Sequence, residues 1–155
     1  MLEMMVSGKS FIKEELEIMN SQPKYNILSD GKPQLDMKDI LTEHEDDEVE
    51  KERYLLKWKG KHIGIIDFTM YNPKDGFPWL GLLLIHKSFE GQGLAKEAYQ
   101  HYEKLMTNRR VSAVRLGCYK DNNRGLDFWG RLGFRKIKEV QYKEKPLLVM
   151  EKELK

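Results

Sequence analysis

Cysteine is almost absent from this chain, which has only Cys118 among its 155 residues. A disulfide within the chain is therefore excluded, and this suits a reducing compartment. Long apolar runs are missing too, since none approaches the ~20 residues that a membrane-spanning helix needs. The first ten residues lack the long apolar core of a secretory signal peptide. We therefore expect a cytoplasmic protein.

The chain also lacks an excess of charge of either sign. The 27 Lys and Arg residues nearly balance 25 Asp and Glu residues, which leaves a net charge of +2. This charge is too small to predict binding to nucleic acid or to an anionic membrane. The histidines and the cysteine show no paired spacing typical of metal ligands, so we predict no metal site. The length suits one domain, which we place at residues 1–155.

Hydrophobic periodicity predicts the element order α-α-β-β-β-α-β-α-β-β. The predicted helices cover 11–20 (with Ser10 as N-cap), 35–42, 94–106 and 122–132, and the predicted strands cover 54–58, 63–70, 79–85, 111–118, 134–140 and 147–153. Residues 23–33 are predicted to be a loop, and 43–52 an acidic, solvated connection. The central strand–helix–strand unit requires a right-handed parallel crossover. We therefore predict an α/β (α+β) fold, with a mixed, mostly antiparallel sheet, one central parallel βαβ crossover and helices on both faces.

A glycine-containing turn, EGQGLAK at 90–96, separates the strand at 79–85 from the helix that follows. The first turn of a helix offers unpaired N–H groups and partial positive charge, which together can bind an anion. Gly91 and Gly93 would let the backbone approach a phosphate closely. Lys96 opposes the helix dipole, but a bound anion would reverse that effect. An ordinary strand-to-helix turn is the simpler alternative.

Two other phosphate-binding motifs fit this turn poorly. A P-loop needs Gly-Lys-Ser/Thr, whereas Gly93 is followed by Leu94 and Ala95. A dinucleotide fingerprint needs a third glycine where this chain has Lys96, and a second βαβ half that the pattern does not show.

The turn resembles the cofactor motif of the GNAT N-acetyltransferase superfamily, Gln/Arg-x-x-Gly-x-Gly/Ala, which lies between that family's fourth strand and third helix. Here the motif is Glu90-x-x-Gly93-x-Ala95. A second family motif, roughly Asn-x-x-Ala-x-x-Phe-Tyr-x-x-x-Gly-Phe, resembles NNRGLDFWGRLGF at 122–134. The resemblance is strong over 79–134, although the family's first strand is not obvious before Phe11.

The resemblance implies an N-acetyltransferase whose acetyl donor is acetyl-CoA, bound where the two parallel strands separate. The backbone of Leu84, Ile85 and Lys87 would pair with the pantetheine arm. The implied pyrophosphate contacts are Gly91, Gln92, Gly93, Leu94, Ala95 and Lys96, and those on the other side are Asn122, Phe128, Trp129 and Arg131.

Two residues depart from the family pattern. Glu90 replaces Gln or Arg, and because a carboxylate repels a pyrophosphate we expect it to face solvent. Trp129 stands where many relatives carry a tyrosine proposed as general acid, and an indole is not a practical proton donor. A free thiol has a pKa near 8.5, so the sulfur can leave as a thiolate near neutral pH. Catalysis therefore does not require that acid. A backbone N–H near Ile85 could stabilise the oxyanion, and Tyr119 is a substitute donor, unless it is only a surface aromatic.

The amine acceptor would need a base, because a lysine-like amine is almost fully protonated at neutral pH. The candidates are Asp67, His86 and Asp75. Asp67 is predicted to share a strand face with Ile63 and Ile65, which favours partial burial. A structural carboxylate and an ordinary strand-end histidine are the alternative interpretations of the first two.

The acceptor itself is predicted to be a small-molecule or peptide amine. The acidic run at 43–52 could attract a cationic acceptor, or could simply be solvated. The aromatic residues Tyr71, Phe77, Trp79 and Trp129 could shape an acceptor pocket or pack in the core. A non-catalytic acyl-CoA-binding module is the alternative function, and a modifier of proteins or charged tRNA is a third. A homodimer formed through the last strands is possible in such a fold.

Overall fold

The computed structural model describes residues 1–46 and 49–154. Twelve main elements follow in chain order: β1 (Leu2–Val6), α1 (Ile12–Asn20), α2 (Pro23–Asp30), α3 (Met37–Glu45), β2 (Glu52–Trp58), β3 (Lys61–Thr69), β4 (Trp79–Ile85), α4 (Leu94–Asn108), β5 (Ala113–Tyr119), α5 (Asn123–Arg131), β6 (Arg135–Tyr142) and β7 (Lys145–Glu153). Single 3-10 turns at Lys9–Phe11 and Lys87–Phe89 precede α1 and follow β4. None of the helices within the described ranges has the length and apolar character needed to cross a membrane.

The strands form one seven-stranded sheet in the order β1-β2-β3-β4-β5-β7-β6. Only β4 and β5 run parallel, and their register contains just two pairs, Trp79 with Arg115 and Leu80 with Leu116. The other five neighbouring pairs of strands are antiparallel. The mixed, mostly antiparallel sheet with one parallel crossover confirms the predicted fold class.

An irregularity in β4 marks the place where it leaves β5. Asp67 is opposite Leu82 and Phe68 is opposite Leu80, so Gly81 is one residue more than β3 can match. Such a β-bulge bends its strand and increases the local twist. Because pairing with β5 ends at Leu80, the C-terminal halves of β4 and β5 separate and leave an opening between them.

Two apolar cores hold the helices on the two faces of the sheet. Ile18 of α1 and Ile40 of α3 pack with Ile65 on one face. Tyr99 and Tyr102 of α4 belong to a larger core on the other face. All five of these side chains are essentially inaccessible to solvent, so both helical layers are anchored by burial of apolar area.

The prediction failed mainly in the N-terminal third. Residues 23–33 were predicted to be a loop, but α2 lies there. Its start and stop signals are present in the sequence, because Pro23 occupies the first helical turn and Gly31 ends the helix with a left-handed φ of +76°. Strand β1 was missed because only Leu2 of its five residues is buried. Ser10 is not an N-cap, since it lies within the 3-10 turn and α1 begins without a side-chain cap.

A buried ion network joins the first helical layer to the sheet. Arg53 of β2 donates from Nε and Nη2 to Oε1 of Glu15, at 3.0 and 2.7 Å, and from Nη1 to Oδ2 of Asp67. Ser7 and His44 bind the other Glu15 oxygen. Burial alone would raise the pKa of Glu15, but Arg53, Ser7 and His44 lower it below its ordinary value. The two buried carboxylates therefore share one guanidinium as their counter-ion.

Replacing Arg53 should cost far more stability than replacing an exposed arginine. Arg53→Met leaves Glu15 and Asp67 buried without their cation, and we expect a loss of about 3–5 kcal/mol in the free energy of unfolding at neutral pH. Arg109→Met is the control, because Arg109 pairs with Glu52 at 2.6 Å with about a third of each side chain exposed, and should cost at most about 1 kcal/mol. Urea unfolding measures both, and equal losses would contradict the role given to Arg53.

The pH dependence gives a second test of the network. In the native chain the lowered pKa of Glu15 adds stability above its unfolded pKa, and that contribution is lost as the pH falls through the folded value. In Arg53→Met the unpaired carboxylates can instead relieve their burial by taking up protons. The stability gap between variant and native chain should therefore be smaller at about pH 5 than at about pH 7. A gap that widens at the lower pH would contradict this account.

Candidate active site

The opening between β4 and β5 has one backbone edge that faces it. The His86 N–H donates to Ile63 O at 2.7 Å, and this pair continues the register in which Leu84 is opposite Ile65. Because antiparallel pairing alternates along a strand, the backbone groups of Leu84 also face β3, whereas those of Leu83 and Ile85 face the opening. Of the two residues of this strand predicted to contact pantetheine, Ile85 has its backbone groups toward the opening and Leu84 has its groups toward β3.

The turn between α1 and α2 already binds two groups at the end of β4. Gln22 donates from Nε2 to Ile85 O at 2.9 Å. Ser21 Oγ accepts the N–H of Lys87 at 3.0 Å, another predicted pantetheine contact. The end of β4 beside the opening is thus connected directly to the helical layer that contains α1.

The glycine turn after β4 is built to admit an anion. Gly91 and Gly93 have left-handed φ values of +81° and +76°, which glycine adopts without strain. A Cβ built on either residue would meet no atom within 4 Å, so the space beside the turn is open. Gly93 is the N-cap of α4 and no side chain caps the helix. Its first N–H groups are therefore available to a phosphate oxygen.

The remaining residues of the turn take different positions. Gln92 and Lys96 are exposed, Leu94 is buried in the core under α4, and Ala95 is half-buried. Only Lys96 among them offers a side-chain cation beside the open N-terminus of the helix. These features fit an anionic group, as predicted for a pyrophosphate.

The other side of the opening is formed by α5. Asn122 Oδ1 accepts the N–H of Gly125 at 2.9 Å and caps this helix. A Cβ at Gly125 would lie only 2.6 Å from Asn122 Nδ2 and 3.0 Å from Cys118 Sγ. Glycine here, where the family motif has alanine, therefore allows the tight cap.

Three predicted contacts on α5 lie in unlike surroundings. Trp129 packs edge-on against Tyr99 and Phe134, with ring centroids 5.9 and 5.5 Å apart, so its half-buried indole covers the core. Phe128 is half-buried beside it. Arg131 is 80% exposed and pairs with Asp127 one turn earlier.

Glu90 does not face solvent, and that expectation is wrong. Its side chain is only 26% exposed. Gln22 Nε2 donates to Glu90 Oε2 at 2.8 Å, and Arg124 Nη2 lies 3.3 Å from the same oxygen. The negative charge of Glu90, the first residue of the glycine turn, is thus compensated by two donors from outside the turn.

Asp67 is buried on β3, opposite Leu82 of β4. One oxygen pairs with Arg53, and a Cβ built on Gly81 would lie 2.6 Å from the other. Burial raises the pKa of Asp67 against the lowering effect of Arg53. Asp67 shares its sheet face with Ile65 as predicted, but Ile63 packs in the opposite core because a second bulge interrupts β3 there.

Tyr119 and Tyr25 lie on the same side as Asp67. Tyr119 is the last residue of β5 and is buried, so it is not the surface aromatic of the alternative interpretation. Burial and then Tyr142 raise the pKa of Tyr119, which keeps its hydroxyl protonated. Desolvation, Tyr119 and Asp67 raise the pKa of Tyr25, so the three groups lie within electrostatic reach. Tyr25 was overlooked because its helix α2 had been predicted to be a loop.

A lysine closes this side of the opening. Lys145, at the start of β7, donates from Nζ to Ile27 O and Leu28 O, at 3.0 and 2.8 Å. These carbonyls belong to the last turn of α2, where a cation complements the helix dipole. The contact ties the β6–β7 hairpin to α2 above Tyr119.

His86 and Asp75 do not join this group. His86 Nε2 is 3.6 Å from Glu17, and its ring lines a separate cavity of about 410 Å³ with Glu14 and His62 on the β3 side of β4. Asp75 accepts from Trp79 Nε1 and pairs with Arg115, at the opposite end of the sheet from the opening.

The acidic run and two of the aromatic residues, Tyr71 and Phe77, also lie away from the opening. Described members of the run form ion pairs: Glu43 with Lys51, Glu45 with Lys9 and Glu52 with Arg109. Asp47 and Glu48 lie outside the described residues. Tyr71 is exposed, and Phe77 stacks under Arg115. No group of three or more potential metal ligands occurs within 1–46 and 49–154.

The comparisons with known proteins agree with this geometry. The sequence profile described as "Acetyltransferase (GNAT) family" matches residues 16–134. The chain is 29% identical over 90 residues to an N-alpha-acetyltransferase MAK3 of Arabidopsis thaliana, which covers 57% of this chain and 47% of that protein. The chain therefore spans about half the length of that relative.

Solved structures share the whole fold at low identity. An acetyltransferase from Thermus thermophilus superposes with a TM-score of 0.83 at 21% identity, over 99% of this chain and 97% of that one. The PaiA N-acetyltransferase from Thermoplasma acidophilum, solved with coenzyme A, gives 0.70 at 14% identity over 99% of both chains. The aminoglycoside acetyltransferase AAC(6')-Ib, solved with ribostamycin and coenzyme A, gives 0.79 at 15% identity over 98% and 93%.

Cys118 is an unreactive thiol, which bears on any covalent mechanism. Burial raises its pKa to about 11, so very little thiolate exists near neutral pH. We expect the native protein to react with a disulfide reagent at least about 100-fold more slowly than the urea-unfolded chain, because the free thiol has a pKa near 8.5. Stopped-flow labelling measures both rates. Fast labelling of the folded protein would make Cys118 a candidate nucleophile.

Proposed function

Since the chain belongs to the acetyltransferase (GNAT) family, we propose that it is an N-acetyltransferase that transfers the acetyl group of acetyl-CoA to a primary amine. The observation that carries the proposal is the opening between β4 and β5, which leads to an uncapped helix N-terminus behind two left-handed glycines. Relatives whose names include N-alpha-acetyltransferase and aminoglycoside acetyltransferase support amine acetylation.

We propose that the donor lies in this opening. The N–H groups at 91–96 and the Lys96 ammonium would hold the pyrophosphate, and the Ile85 edge would hold the pantetheine arm. The donor supplies an activated acyl group as a thioester. The N–H of Ile85 faces the opening and would stabilise an oxyanion there.

The acceptor amine would attack the thioester directly. A C–N bond forms, the C–S bond breaks, and the sulfur leaves as a thiolate that takes up a proton. Tyr119 keeps its proton because its pKa is raised, so it can donate to that sulfur. Cys118 is too poor a nucleophile to form an acyl-enzyme, which favours direct transfer.

Asp67 is the proposed proton acceptor for the amine, directly or through one water. Its raised pKa brings the carboxylate closer to the operating pH, and the missing Cβ of Gly81 leaves room beside its Oδ1. His86 is a weaker candidate, because its ring faces Glu17 and lines a separate cavity with Glu14 and His62. Tyr25 and Tyr119 would border the acceptor, a small-molecule or peptide amine.

The setting of the protein is part of the proposal. A single cysteine with no possible intrachain partner supports a cytoplasmic location. The edge strand β6 ends the sheet, and its free backbone edge supports a homodimer. Light scattering on the purified protein would show which oligomer forms.

Binding of the donor tests the site without needing the acceptor. Calorimetry with acetyl-CoA should show micromolar affinity, with little response to ATP or NAD. Gly93→Asp adds a carboxylate where the pyrophosphate is expected and should abolish binding. Gly60→Asp is the matched control, since Gly60 is also left-handed, at +79°, and also has open space beside it, but lies in the β2–β3 turn. No binding to the native chain at millimolar acetyl-CoA would refute the proposal.

Tyr119→Phe tests the proposed acid. With a reactive amine as acceptor, kcat should fall about 10²-fold or more, because general-acid help is lost. The KM for acetyl-CoA should change little, since no predicted donor contact is removed. Tyr71→Phe, at an exposed residue far from the opening, serves as the control. An unchanged kcat would mean that the thiolate leaves without a proton from Tyr119, and would exclude Tyr119 as the acid.

A further inference from the structure

We infer that Arg124 is a phosphate-binding residue of the donor site. Glu90 holds Arg124 at the entrance until the donor's phosphates replace the Glu90 carboxylate. The inference rests on the donor site proposed above. It adds a binding residue on α5 and gives a role to the residue that departs from the family motif.

The Glu90–Arg124 pair spans the entrance. Glu90 begins the glycine turn that precedes α4, and Arg124 lies in the first turn of α5. These segments are the two sides of the opening. Arg124 Nη2 approaches Glu90 Oε2 to 3.3 Å, so a cation from one side meets a carboxylate from the other where an entering anion must pass.

The two partners are held unequally. Glu90 is 26% exposed and its Oε2 also accepts from Gln22, whose amide donates to Ile85 O as well. Arg124 is 79% exposed, and in the part of the chain that the structure describes Glu90 is its only ion-pair partner. Glu90 is therefore fixed by Gln22, whereas Arg124 is free to rotate toward another anion.

The energies favour a phosphate over the Glu90 carboxylate as the partner of Arg124. An exposed ion pair contributes at most about 1 kcal/mol, whereas an arginine binds a phosphate through two parallel, charge-assisted hydrogen bonds. The glycine turn needs such a cation, because Glu90 repels a pyrophosphate and Lys96 is the only cationic side chain of the turn itself. Arg124 supplies the missing positive charge from the neighbouring helix.

A competing account makes Arg124 only a neutralising partner of Glu90. The two accounts predict different effects of Arg124→Gln when Glu90 is replaced as well. If Arg124 contacts the donor, Arg124→Gln removes a phosphate ligand and weakens binding. If Arg124 only neutralises Glu90, Arg124→Gln merely exposes the carboxylate, so the loss should disappear when Glu90 is replaced as well.

Calorimetry of CoA binding to the native chain and five variants tests the inference. We expect Arg124→Gln to weaken CoA binding about 10-fold. In the Glu90→Gln background, the same substitution should weaken binding by a larger factor. Glu90→Gln alone should tighten binding several-fold at low salt, because it frees Arg124 and removes a repulsion while Gln22 keeps an acceptor. Arg124→Lys should recover part of the affinity. Arg135→Gln is the control, since Arg135 is 67% exposed and also paired with carboxylates, but lies at the other end of the sheet.

The outcomes separate this inference from the donor site itself. Native chain that fails to bind CoA would refute the site, and the inference with it. Binding by the native chain that Arg124→Gln leaves unchanged, or weakens only when Glu90 is present, would refute the inference alone. Repeating the titrations with 3′-dephospho-CoA assigns the contact, because an undiminished effect of Arg124→Gln points to the pyrophosphate and a vanished effect points to the 3′-phosphate.

Discussion

The separation of two parallel strands is the constraint on which this structure depends. β4 and β5 pair only at their beginnings, so the backbone groups beyond Leu80 and Leu116 lose a sheet partner, and buried backbone groups need one. Gln22 and Ser21 satisfy part of the exposed edge. In the proposed donor site the same edge would bind a linear, amide-bearing ligand, so the helical turn and the ligand would share one strand.

Charge is arranged on either side of β4 in two different ways. On the β3 side, Arg53 is enclosed between Glu15 and Asp67 with almost no exposure, so this arrangement is fixed by the cost of breaking it. Beyond the end of β4, Glu90 and Arg124 form a pair that water can reach. The buried network can hold a carboxylate in position, whereas the exposed pair can rearrange.

The sequence was informative where its patterns are strong. The strand predicted at 79–85 matches β4 residue for residue, because a continuous apolar run between turn signals has few alternatives. The placement of the glycine turn before α4 could also be predicted. The partners of Glu90 could not, because Gln22 and Arg124 are 68 and 34 residues away in sequence. Long-range pairing of this kind carries no local signal, and Tyr25 was missed for the nearer reason that Pro23 and Gly31 were not recognised as helix boundaries.

The bulge at Gly81 changes the phase of β4. Leu80 and Ile85 pack in the same core although an odd number of positions separates them, while Leu84 packs in the other. In a regular strand such residues would lie on opposite faces. One inserted residue therefore determines which side chains of the distal half meet each helical layer, and a one-residue deletion would exchange the two sets. The opening is thus encoded as much by the length of this strand as by the chemistry of any side chain beside it.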